Sequence, residues 1–180
     1  DDTSNINNAL DGFFASLNAA SVQPDSAALR SQVLTSADTL VRRIASQRQL
    51  FSTQQNAVND QRGAAINQIN GYTADIALLN KQIAAAQAGG LNASGLMDAR
   101  DQRIDALAAL VGVQVVTQQD GTASVSLTNG QPLVVGAEAA VMGQNSGQLE
   151  LRFASTTFGV SSQGLGGQLG GITDYEAQVL

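Results

Sequence analysis

The sequence predicts a mainly α protein with a small antiparallel β part: an elongated bundle of long heptad-patterned helices plus a β-hairpin subdomain. Three observations predict it. Glycine is scarce over residues 1–88, at Gly12, Gly63 and Gly71, while the remaining 92 residues hold fifteen. Apolar residues in the first half recur three and four apart, which is helical spacing. Past Val113 the period becomes two, and Asp120-Gly121 and Asn129-Gly130 supply hairpin turns. The expected organisation is a long-helix bundle over 1–95, a short helix plus β-hairpin subdomain over 96–160, and a Gly-rich return into a C-terminal bundle helix over 161–180.

The first helix is expected from about Asp2 to Ser21, with Ile6, Leu10, Phe13 and Leu17 on one face. Pro24 breaks it, because the residue before a proline is pushed out of helical conformation. Asp25 or Ser26 then caps a second helix by accepting from its free first-turn amides. Val33, Ala37, Leu40, Ile44 and Phe51 share a face there. Further on, Ala65, Ile69, Tyr72, Ile76, Leu79, Ile83 and Ala86 form a heptad stripe for helix packing, as in coiled-coil-like contacts. Residues 52–62 between them are polar apart from Ala57 and Val58, and lack Pro and Gly. One helix over 26–88 and two helices hinged near Gly63 both fit. The missing stop signal favours one, which would be about 90 Å long and suits a rod.

Ala88-Gly89-Gly90 ends that helix, and Ser94 is the expected cap of a short one over 95–110 with Leu96, Ile104, Leu107 and Val111 apolar. Gly112 is expected to close it. Val113 and Val115, Val125 and Leu127, residues 132–135, and Leu149, Leu151 and Phe153 are the expected strands. Gly164 to Gly171 reads as a flexible link into a last helix from Ile172.

Composition excludes much chemistry. There is no Cys, His or Trp, which removes disulfides, thiolates, Cys/His zinc sites and imidazole acid–base catalysis. Without His, only Lys81 or a carboxylate could activate a Ser or Thr, and Lys81 reads as a solvated helix residue. Nothing argues for an enzyme. A net charge of −6 without a basic run makes nucleic acid and anionic membrane poor partners. No stretch reaches the ~18 apolar residues of a membrane span. The polar surface is neutral instead, with 20 Gln and 12 Asn, and such a surface repels its own copies weakly. The start lacks a basic region followed by an apolar run. The helical pattern is already under way at Asp2 and breaks off at Leu180, which predicts a chain cut from a longer protein, any export signal removed.

Asp98, Arg100, Asp101, Arg103 and Asp105 form the densest charge cluster. Asp98, Asp101 and Asp105 share a helix face and could be taken for a cation site. Calcium wants about six to eight oxygens and a ligand loop, so a structural salt-bridge cluster neutralised by the two Arg is the expectation. The run GLGGQLGG lacks the Lys-Ser/Thr of a phosphate loop and reads as a linker.

The stretch Leu96-Met97-Asp98-Ala99-Arg100-Asp101, then Val111-Gly112-Val113, Asp120-Gly121, and Asn129-Gly130-Gln131-Pro132-Leu133-Val134-Val135-Gly136 resembles a block of the flagellar hook-associated protein 1 family, the hook–filament junction proteins. Phe13-Phe14 with Leu17, then Pro24 and Arg30, is similar to that family's opening helix pair, and Gly164–Ile172 to its return into a C-terminal helix. Only about 30 residues separate the hairpins from the return, where many members carry outer domains, so this resembles a minimal or trimmed core without the terminal helices. The resemblance implies an extracellular structural part of the bacterial flagellum, secreted through the flagellar export apparatus. Implied partners are copies of itself in a ring, the hook protein, the second junction protein, and an export chaperone acting through a C-terminal part. No cofactor is implied. Another flagellar axial protein, or an extracellular adhesin with an exposed aromatic patch, are the alternative readings.

Overall fold

A computed structural model describes residues 6–145, 147–161 and 164–179 of the chain. Four helices and seven strands follow in the order α1 (Ile6–Val22), α2 (Ala27–Ala88), α3 (Ser94–Leu110), β1 (Val113–Thr117), β2 (Ala123–Leu127), β3 (Pro132–Val135), β4 (Glu138–Ala139), β5 (Val141–Asn145), β6 (Gln148–Phe153), β7 (Thr156–Val160) and α4 (Gly167–Val179). The fold is mainly helical with antiparallel β structure, as the sequence predicts, but the β part is two small sheets where one meander is expected. Two units are distinguished, residues 1–56 and 57–180.

In the first unit α1 turns back through Pro24 onto the start of α2. Its expected beginning at Asp2 lies outside the described residues. Ser26, not Asp25, caps α2: the Leu29 amide donates to its hydroxyl at 3.4 Å. The buried line of α1 differs from the predicted one. Ile6, Ala9, Phe13, Ser16 and Ala20 turn inward, while Leu10 and Leu17 stay nearly two-fifths exposed. At Ser16 a small residue takes the inward place beside Leu17 because the helices approach closely there: Ser16 and Ser36 share a 2.6 Å hydroxyl–hydroxyl hydrogen bond. Val33, Ala37 and Leu40 are half-buried as expected, but Ile44 and Phe51 are exposed. Seventeen residues of α1 reach only about 25 Å, which spans α2 to about Ile44.

α2 is one helix of 62 residues, and the hinge at Gly63 does not occur. Its end is a Schellman motif. Leu91 N–H donates to Ala86 O at 2.8 Å and Gly90 N–H to Gln87 O at 3.0 Å, with Gly90 at φ +69°.

α3 departs from its expected caps. Ser94 is its first helical residue, and Ala93 stands at the N-cap without a side-chain bond. The free Ser94 amide is met by the Asn92 carboxamide oxygen at 2.8 Å. Gly112 does not terminate the helix by a left-handed turn; extended Val111 does. Gly112 serves close approach instead: its amide donates to Leu165 O at 2.6 Å, and a Cβ there would lie 2.9 Å from that oxygen.

The strands form two meanders, β1-β2-β3-β4 and β5-β6-β7. Val113↔Leu127 and Thr117↔Ala123 frame the first hairpin, closed by Gly121 at φ +75°. Only β6 of the second sheet was legible, since β5 and β7 carry Gly, Gln and Thr where apolar alternation would be looked for. The Gly-rich run is a link only to Gly166; from Gly167 it is already helix α4, and Leu169 and Gly170 are buried. One core unites Ile69, Ile76, Leu107, Leu127, Leu151 and Leu169, so α2, α3, α4 and both sheets contribute to it.

Candidate functional site

The inward face of α2 was read as Ile69, Tyr72, Ile76, Leu79 and Ile83. Ile69, Ile76 and Ile83 are fully buried, whereas Tyr72 and Leu79 are half-buried edges. The central places beside the isoleucines belong to Thr73 and Asn80, both 0% exposed. Their role is to hold strand backbone. The Asn80 carboxamide oxygen accepts from Ala123 N–H at 3.0 Å, and its nitrogen donates to Ala123 O and Gly136 O, each at 2.8 Å. It thereby fills the rung missing where β3 ends beside β2. Three turns earlier, Asn70 accepts from Met142 N–H at 2.7 Å and donates to Met142 O at 2.8 Å. That satisfies Met142 on the open edge of β5, where its backbone groups would otherwise stand unpaired. One helix thus clasps each sheet through one asparagine.

The charged cluster on α3 separates into parts. Arg100 is buried; Asp98, Asp101, Arg103 and Asp105 are exposed. Arg100 donates through Nε and Nη2 to Asp101 Oδ1 at 3.0 and 2.8 Å, and through Nη1 to the Gly121 carbonyl at 2.6 Å. It therefore ties α3 to the tip of the first hairpin. Gly121 is packed so tightly there that a Cβ would fall 2.1 Å from Gln87 Nε2 and 2.9 Å from Met97 Cε. Arg103 leaves its own helix and pairs with Asp75 of α2 at 3.2 Å. Asp98 and Asp105 make no ion pair among the described residues. The turn itself is set by Asp120, whose carboxylate accepts from the Thr122 hydroxyl at 2.7 Å and amide at 3.0 Å. Those bonds lower its pKa, the hydroxyl contributing most.

Sequence reasoning missed Arg62. It is 3% exposed, and its Nη1 donates to Glu176 of α4 while Nη2 donates to Asn59. The signal was present: Val58, Arg62, Ala65 and Ile69 step by four, three and four along the buried line. Thr73 and Asn80 continue that line, so counting polar residues into the stripe would have found all three.

Among the described residues no three His, Cys, Asp or Glu side chains are placed to hold a metal ion, and no helix is long and apolar enough to cross a membrane. Lys81 is exposed. Apart from Arg62 Nε, which has no hydrogen-bond partner among the described residues, the buried polar side chains engage backbone and neighbouring side chains, an arrangement that holds elements in register.

A long helix with two sheets clasped along it defines a structural domain whose few buried polar side chains hold strand and turn backbone in place. The chain belongs to the flagellar hook-associated protein FlgK helical domain family, whose model matches residues 1–180. It is 34% identical over 139 residues to flagellar hook-associated protein 1 of Escherichia coli K12, covering 76% of this chain and 25% of that protein. Its identity to the Salmonella typhimurium protein of the same name is 35% over 141 residues, covering 77% and 26%. The chain therefore spans about a quarter of the length of these curated relatives. The flagellar hook junction protein FlgK from Burkholderia pseudomallei superposes with a TM-score of 0.82 at 30% identity, over 96% of this chain and 33% of that one.

Proposed function

We propose that this chain is the helical core of a junction protein that joins the hook of the bacterial flagellum to its filament. It works outside the cell after secretion through the flagellar export apparatus. It packs against copies of itself in a ring, against hook protein on one side and the second junction protein on the other. An export chaperone engages a C-terminal part of the longer protein. The role is mechanical, not catalytic. The stripe over Ile69–Ile83 and the cluster around Arg100 serve it by keeping the β-hairpin subdomain fixed on α2.

The observation that carries the reading is the continuous α2 with a separate asparagine clasp for each sheet. A junction between two tubes of different stiffness needs subunits whose parts keep their spacing under load. Deleting the coding sequence in the source bacterium tests it. Hooks should still form, filaments should be missing, and filament subunits should appear in the medium. Normal filaments on such cells would overturn the reading.

A further inference from the structure

Residues 27–56 of α2 carry four Arg and one Asp, while residues 57–180 carry ten acidic and five basic groups. On the first stretch Val41, Ile44, Arg48 and Phe51 step by three, four and three, so they share one helix side. Val41, Ile44 and Phe51 are 63%, 49% and 56% exposed. An apolar strip of this kind on a soluble surface marks a place of contact. Arg48 is exposed in its midst and forms no ion pair among the described residues.

The second unit holds a matching concavity. Between α2 and α3 lies a groove of ≈ 250 Å³, with Leu78, Leu79 and Ala99 as apolar lining and Asp75 and Arg103 across it. Leu78 is 55% exposed there. Asp98, next to Ala99, is exposed and without an ion pair among the described residues.

We propose that the strip Val41–Phe51 of one copy docks into the α2–α3 groove of a second copy, with Arg48 of the first facing Asp98 of the second. The occupant is a second copy because the two surfaces complement each other in charge and in apolar character. An amphipathic helix laid into an apolar groove is a general mode of recognition. Strip and groove are different surfaces, so the contact is heterologous: each copy offers one of each, and a copy bound through its strip keeps its groove for another. The proposal rests on the reading of this chain as a self-packing junction core.

The chain has no Cys, so engineered thiols are unambiguous reporters. A Phe51→Cys chain mixed with an Ala99→Cys chain under mild oxidation should give mixed disulfide dimers. Thr157→Cys, exposed and away from the groove, replaces Ala99→Cys as the control and should give few. Raising salt from about 0.01 M to about 1 M shortens the Debye length from about 30 to about 3 Å and should reduce the yield. Arg48→Asp or Asp98→Arg should weaken association roughly fivefold, and placing Arg48→Asp on one chain and Asp98→Arg on the other should restore it. Dimers chiefly between like chains, equal yield with the control, or no restoration by the charge swap would overturn the proposal. None of these outcomes touches the junction reading, which stands or falls on the filaments of the deletion strain.

Discussion

The carboxamide of Asn80 and the peptide of Ala123 bond in both directions, Ala123 N–H to Oδ1 at 3.0 Å and Nδ2 to Ala123 O at 2.8 Å, inside the core. A side chain here replaces a neighbouring strand. Asn80→Ala would leave two buried backbone groups unpaired at Ala123 and a third, half-buried one at Gly136 O. Each such loss costs about 1–3 kcal/mol, with partial recovery by water, so the variant should lose roughly 3 kcal/mol. Asn70→Ala breaks two bonds at a less buried place and should lose roughly 1.5 kcal/mol. Hydrogen exchange distinguishes the clasps: the Ala123 amide should open first in Asn80→Ala, and the Met142 amide in Asn70→Ala. Equal loss of protection at both amides in both variants would show that the sheets are not clasped separately.

Asn80→Asp probes the same place through pH. A carboxylate here keeps the Ala123 N–H bond on one oxygen but turns the other towards two carbonyl oxygens in a buried place, and burial and that repulsion outweigh the single donor, so its folded pKa rises above the usual value of about 3.9. The sign follows from the raised value. The variant is most stable, relative to the parent, below about 3.9, where the acid is protonated in both states. Its relative stability falls as pH rises from there towards the folded pKa. Urea midpoints should therefore diverge between acidic and neutral pH, and a constant difference would contradict the buried geometry.

Arg100 joins the exposed Asp101 to the turn of a hairpin. Arg100→Ala strands the Gly121 carbonyl and removes a charge-assisted bond, so a loss of about 2 kcal/mol is expected. For a chain of this size that lowers the melting temperature by roughly 4–8 °C. Arg100→Lys keeps one donor and should recover part of it. Asp98→Ala, exposed and unpaired among the described residues, should change little. Calcium should leave the melting temperature of the parent unmoved. A calcium-dependent rise would return the three carboxylates to consideration as a cation site.

Asp120 should titrate below the ordinary carboxylate range, because the Thr122 hydroxyl and amide bond its charged form. A group with a depressed folded pKa contributes stability that is full above its unfolded value of about 3.9 and is lost as pH falls through the folded value. Thr122→Val removes the larger cause and should move the titration of Asp120 upward, as carboxyl carbon shifts would record. An unchanged midpoint would mean that the amide alone sets it.

The helices, the first sheet and the strand over 148–153 were legible because their residues obey simple periods. What escaped was polar. Thr73 and Asn80 stand where an apolar stripe was sought, and the stripe was completed with Tyr72 and Leu79, which lie at its edge. Arg62 vanished into a polar stretch although its spacing from Val58 and Ala65 is that of a buried residue. Ser16 takes the place expected of Leu17 because the two helices come within a hydroxyl–hydroxyl bond of each other at Ser36. Arg100 reads from the sequence as a member of a salt-bridge cluster, yet besides Asp101 it bonds a carbonyl 21 residues away, which no local pattern encodes. Spacing tells which side of a helix is inward; it does not tell that a neighbour's backbone needs a donor there.

Two glycines make opposite predictions, and the contrast tests the continuity of α2. Gly63 lies inside the helix, where a Cβ would meet nothing within 4 Å. Glycine there costs roughly 0.5–1 kcal/mol relative to alanine, because it fixes a more mobile backbone for no side-chain gain. Gly63→Ala should therefore stabilise the chain by about that amount. Gly121 sits at φ +75°, and its added methyl would meet Gln87 and Met97 well inside contact distance. Gly121→Ala combines an unfavourable backbone region with a steric clash at the turn that Arg100 grips, and should cost about 2 kcal/mol or more. The Gln87 side chain is flexible, so Gly121→Ala with Gln87→Ala should recover the steric part and leave the backbone part. Denaturation midpoints of these variants measure all three effects. If Gly63→Ala destabilises, the helix bends at that point in solution, and the single rod from Ala27 to Ala88 gives way to two helices with a hinge.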